Sequence, residues 1–108
     1  MAWLTVEQLH DILRKEMDWY AGLSDDSKAF FIEDISRKQY VVTGIMNEPG
    51  PNHSYIIVQA RIVDGYVVVD EDTVWDKNLW KALVAAGVPR EQIVLAYQGE
   101  SVPMTSEA

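Results

Sequence analysis

Between positions 70 and 76 the chain carries four carboxylates, Asp70, Glu71, Asp72 and Asp76, the densest set of groups here that could do chemistry. Oxygen ligands so close together could hold a divalent cation. The run lacks the D-x-D-x-D-G spacing with a terminal Glu that a calcium loop needs. A second reading is structural. Thr73 stands three residues before Asp76, a variant of the helix-start box, and acids are favoured at a helix N-terminus by its unpaired N–H groups and macrodipole. A third reading turns the same charges towards a basic patch on a protein partner. The helix-start and partner readings are compatible, and both are expected ahead of the metal site.

Other reaction chemistry finds no anchor. The two histidines, His10 and His53, are expected at the surface, one on the polar side of a helix and one in a proline-rich loop, with no orienting partner nearby. Neither a G-x-S-x-G elbow nor a phosphate-binding glycine loop occurs. Glu33 and Asp34 are adjacent on a predicted strand, so they project to opposite faces and cannot converge. With no cysteine, disulfides, thiolate metal sites and cysteine nucleophiles are excluded. The sequence therefore predicts no enzyme and no cofactor.

Four tryptophans, Trp3, Trp19, Trp75 and Trp80, exceed the needs of so small a core. Large aromatic side chains dominate binding energies at interfaces. Trp75 and Trp80 are five residues apart, too far round a helix to share one face, which predicts one in the core and one exposed. The expected partner-binding set is Asp70, Glu71, Asp72, Asp76, Trp75 and Trp80.

The elements that must position these residues are legible from periodicity. Thr5 and Gln8 form a capping box, and Val6, Leu9, Leu13, Met17 and Tyr20 recur at helical spacing, predicting a helix over 6–20 ended by Gly22. Ser24–Ser27 is a polar break. Strands are predicted over 29–35, 40–46, 55–63 and 66–70, with a turn at Ser36–Lys38, an exposed loop over 47–52 and a hairpin turn at Asp64-Gly65. In the third strand Ile56, Val58, Ala60 and Ile62 alternate with Ile57, Gln59 and Arg61, giving one wholly apolar face. A second helix is predicted over 74–86, with Leu79, Ala82, Leu83 and Ala86 along one side. Gly87 stops it, with Val88 folded back onto Leu83. Pro89–Gln92 reads as a tight turn, 93–97 as a last strand, and the polar tail after Tyr97 as frayed. The order helix, four strands, helix, strand predicts an α+β domain with a mainly antiparallel four- to five-stranded sheet. One domain spans 1–100, and 101–108 is tail.

Composition narrows the partners. The 108 residues are 48% hydrophobic, enough for a core burying roughly two-thirds of the unfolded surface. Seventeen acidic against nine basic residues give a net charge of −8. Nucleic-acid affinity comes from cations that displace counterions, so direct DNA binding is not expected and a basic protein partner fits better. No secretory signal or membrane-length apolar run is present, so cytoplasm is the expected compartment and no membrane contact is expected.

The turn Asp64-Gly65-Tyr66, the step Asp72-Thr73 and the run Ala86-Gly87-Val88-Pro89-Arg90-Glu91-Gln92-Ile93-Val94-Leu95-Ala96-Tyr97 together resemble the XisI-like family, the controlling factors of fdxN-element excision. Arg37 and Tyr40 match an R-x-x-Y step, and Trp19-Tyr20 fits an aromatic end to the opening helix. Two residues, Val74 and Trp75, intervene before the Asp76-Lys77 pair, and the tail lacks the basic, aromatic-bearing extension of many relatives. The resemblance implies an accessory factor that works with a nuclease-fold partner, XisH, and a separate recombinase during heterocyst differentiation in cyanobacteria. It implies no catalytic residues. The leading expectation is a non-catalytic regulator that binds a XisH-like protein. The alternatives are a small metal-dependent factor using Asp70, Asp72 and Asp76, or a module that self-assembles as a homodimer or higher oligomer.

Overall fold

A computed structural model describes residues 2–22, 27–46 and 53–103. The elements run in the predicted order: α1 (Val6–Asp18), β1 (Ser27–Asp34), β2 (Gln39–Met46), β3 (His53–Val63), β4 (Tyr66–Asp72), α2 (Leu79–Ala85) and β5 (Ile93–Leu95). The strands form one sheet in chain order, antiparallel from β1 to β4, with β5 parallel to β4. The architecture is α+β, as expected. The polar break at 24–26, the loop at 47–52 and the tail from 104 lie outside the described residues. Among those described, no helix is long and apolar enough to cross a membrane.

Helix α1 starts on the predicted box: Thr5 Oγ1 accepts from Gln8 N at 3.1 Å and Gln8 Oε1 accepts from Thr5 N at 2.8 Å. Leu9, Leu13 and Met17 are buried, and a 3₁₀ turn over Trp19–Gly22 carries buried Tyr20 into the same core. Val6, the first position of the predicted stripe, is instead 39% exposed.

Both helices lie on one face of the sheet. The core joins Leu9, Leu13 and Met17 of α1 and Leu79 and Leu83 of α2 to Tyr40, Val42, Val58, Ala60, Ile62, Val67, Val69, Ile93 and Leu95. Helix α2 has seven residues, too short to persist alone. Burying Leu79 and Leu83, worth about 2 kcal/mol each, holds it in place. Among the described residues no helix covers the opposite face, and there Phe30, Ile32 and Ile56 are 47%, 52% and 40% exposed.

Two bulges break the strand alternation. Val42 pairs with Val58 but Thr43 with Ile56, so Ile57 is an extra residue in β3. It turns inward beside Val58 and is buried, whereas Ile56 swings to the open face. The predicted face of Ile56, Val58, Ala60 and Ile62 is corrected accordingly. In the second bulge Ala60 pairs with Val69 and Gln59 with Glu71, leaving Asp70 as the extra residue in β4.

The turns follow their residue chemistry. Asp64 and Gly65 have φ of 52° and 83°, the two positive values that a two-residue hairpin needs. Gly87 has φ of 112°, and Val88 N donates to Leu83 O at 2.9 Å, the predicted helix stop. Arg90–Gln92 is a single 3₁₀ turn. The last strand is shorter than predicted, since Ala96–Gln98 turns away as another 3₁₀ segment. Glu100 pins it: Oε1 accepts from Leu95 N at 2.9 Å and Oε2 from Arg90 at 2.9 Å, so the chain is held for several residues beyond Tyr97.

Candidate partner-binding surface

Asp72 organises the segment that carries the most exposed tryptophan. Its Oδ1 accepts from Val74 N at 3.0 Å and its Oδ2 from Leu79 N at 2.8 Å. One carboxylate thus ties the end of β4 to the first turn of α2 and spans the loop between them. Lys77 N donates to Val74 O, Asn78 Nδ2 donates to the same carbonyl, and Tyr20 Oη donates to Lys77 O at 2.6 Å. Thr73 is fixed from the other side, with its N and Oγ1 both donating to Ile57 O. Burial pushes the Asp72 carboxyl above its ordinary value, despite the N–H groups that favour the charged form. Burial likewise raises the Tyr20 phenol, with Asp72 adding to it.

Trp75 sits at the middle of this pinned loop and is 85% exposed. Trp19 is half exposed: Lys77 Nζ, from the same loop, is 4.9 Å from its ring, which meets Tyr20 edge-on. Beside the loop, a cleft of about 700 Å³ runs between α1 and α2 over the small side chains of Ala82, Ala85 and Ala86. Its rim mixes Asp11, Glu16 and Asp76 with Lys15, Lys77 and Lys81. An exposed aromatic ring near an open groove of mixed charge is the kind of surface that protein partners use.

Helix α2 begins at Leu79, five positions later than predicted. The Thr73–Asp76 box is therefore not formed. Asn78 is the N-cap residue, and the acid that reaches a helical N–H is Asp72, from the preceding strand. The Asp72 bonds to Val74 N and Leu79 N, with the turn closed by Lys77 N on Val74 O, keep 73–78 as a loop where periodicity alone suggested helix.

The six residues singled out from sequence do not form one face. Asp70 is bound to Arg61, with Oδ2 at 2.8 Å from Nε. Asp72 is committed to backbone N–H groups. Glu71, Trp75 and Asp76 are exposed, and Asp76 lines the cleft. Trp80 is half-buried against the core, with Arg90 and Lys81 over its ring at 5.2 and 5.7 Å. Trp75 and Trp80 thus divide into one exposed and one packed as expected, but not for the expected reason, since Trp75 stands on the loop before α2 and not on the helix. Among the described residues no three acids or histidines converge as a metal would require.

Three features escaped the sequence reading. Gln92, fully buried, accepts from Leu4 N through Oε1 and donates through Nε2 to Leu4 O and Gly65 O, joining the N-terminal arm to the β3–β4 turn. His10 is not without a partner: its Nδ1 shares a 2.9 Å hydrogen bond with buried Tyr40 Oη. Nearby Arg14 clamps Glu33 at 2.6 Å and holds that carboxyl below its usual range. His53 opens β3, paired with Met46, rather than lying in a loop. None of these left a trace in the sequence, since Gln92 closes the polar run Arg90-Glu91-Gln92.

With this geometry in place, the comparisons with known proteins agree. The family model of the XisI protein matches residues 5–107. The chain belongs to the XisI family. A XisI-like protein from Anabaena variabilis superposes with a TM-score of 0.79 at 24% identity, over 88% of this chain and 89% of that one. The fdxN element excision controlling factor XisI from the same organism gives 0.62 at 25% identity, over 84% and 86%. No curated protein matches the chain. The residues that carried the resemblance are mostly structural in this XisI-family chain. Asp64-Gly65 makes the hairpin turn, Gly87 and Val88 stop α2, Gln92 ties the N-terminal arm, and Ile93–Leu95 is β5. Trp75, at 85%, is the most exposed of the large hydrophobic side chains among the described residues.

Proposed function

We propose that this protein is a non-catalytic accessory factor that regulates excision of a DNA element by binding a XisH-like nuclease-fold protein, with Trp75 as the anchor of the contact. The observation that carries the reading is an indole left 85% exposed on a loop that Asp72 holds rigid. A large apolar ring left in water is unfavourable in the free protein, and a loop whose backbone is already tied by hydrogen bonds loses less entropy when a partner covers it. Family membership supplies the excision context, and a chain of net charge −8 is drawn to a basic partner rather than to DNA. The groove beside Trp75 gives the partner a place to seat an apolar segment, and the charges on its rim would set the register.

Co-purification with the XisH-like protein tests this. A complex that forms at micromolar concentration in low salt is the expected result, and its absence under those conditions would defeat the proposal. Electrostatic steering predicts slower association as salt rises, with a smaller change in dissociation.

A further inference from the structure

The sheet has two edges, and they are treated differently. At β5 the edge is three residues long, with Leu95 N bonded to Glu100 and Ile93 O bonded to Arg90. At β1 the edge is eight residues long, Ser27–Asp34, with no proline, glycine or bulge and four consecutive apolar residues, Ala29–Ile32. Among the described residues no backbone bond reaches β1 from the side away from β2. Proteins ordinarily blunt such an edge, because its open N–H and C=O row is a template for another strand.

We infer that β1 pairs antiparallel with β1 of a second copy about a two-fold axis at Phe31, joining the two five-stranded sheets into one continuous sheet. The strand is self-complementary in that register. Lys28 faces Asp34 of the other copy, Phe30 faces Ile32, and Phe31 meets itself. Each pair shares a face, since opposed residues of an antiparallel pair do. Lys28, Phe30 and Ile32 are exposed, and Asp34 keeps 38% of its side chain open beyond its Arg37 contact. Moving the axis to Phe30 sets Lys28 against Ile32. Moving it to Ile32 sets Asp34 against Phe30 and Glu33 against Phe31. Only the Phe31 register opposes opposite charges, Lys28 with Asp34, and it also sets Phe30 against Ile32 and Ala29 against Glu33. The pairing also continues the exposed apolar strip of Phe30 and Ile32 across the axis, covering part of it.

Sedimentation equilibrium of the full chain at about 100 μM, where even a small interface is largely occupied, should show a dimer. K28E places like charges together at both ends of the pairing, and so does D34K, so each should weaken the dimer about tenfold. Mixing the two variants restores both opposite-charge pairs and should recover a heterodimer of wild-type affinity, a rescue that loss of folding cannot imitate. A strict monomer overturns the inference, and so does a dimer that ignores K28E and D34K or that mixing fails to restore. If the wild type is monomeric and K28E instead disrupts the complex with the XisH-like protein, the edge belongs to that partner and the homodimer is excluded.

Discussion

Asp72 shows how one side chain can serve position rather than reaction. Its charge is stabilised by two N–H groups yet disfavoured more by burial, so its folded pKa lies above the unfolded value. The favourable linkage therefore exists at low pH and is lost as pH rises through the raised pKa. Denaturant titrations of wild type and D72N across the weakly acidic range should show wild type gaining on the variant as pH falls. A constant difference would contradict the stated burial effect. Gln92 makes three hydrogen bonds without solvent, and Q92A should cost about 3 kcal/mol by leaving Leu4 N and two carbonyls unpaired. Tyr97 is the converse: its hydroxyl is buried with no partner among the described residues, so Y97F should be neutral or stabilising by up to about 1 kcal/mol in urea unfolding. The Gln92 environment was not visible in the sequence, because it is made by residues far apart in the chain, Leu4, Gly65 and Gln92.

At the scale of elements, local signals were read well and long-range ones were not. The Thr5–Gln8 box, the Asp64-Gly65 turn and the Gly87 stop each depend on neighbours a few residues away, and each forms as written. Gly87 sits at φ of 112° with open space where a Cβ would project, so G87A meets backbone strain alone. It should cost about 1–2 kcal/mol in thermal or urea unfolding, with α2 still formed. The bulges at Ile57 and Asp70 were invisible because strand alternation says nothing about which residue the partner strand skips. The late start of α2 was missed for a related reason: Val74 and Trp75 fit a helical stripe, but Asp72 bonds the N–H of Val74 and of Leu79 and holds the intervening chain as a loop. The sequence named Trp75 for partner contact but placed it on a helix, whereas it stands on the loop that Asp72 ties down.

Across the whole molecule, the helices and the acidic surplus belong to different stories. The net charge of −8 suggested an acidic docking face, but Asp70 is neutralised by Arg61 and the cleft beside Trp75 balances its acids with lysines. In the proposed complex, recognition rests on shape and one aromatic anchor, with charge acting on the rate of encounter. The claim is tested most directly by calorimetric titration of the XisH-like protein with wild type and W75A, alongside their urea unfolding. Removing an 85% exposed side chain should leave stability within about 0.5 kcal/mol, while the dissociation constant rises roughly 30-fold, about 2 kcal/mol of binding. Equal affinity for both proteins would contradict the account.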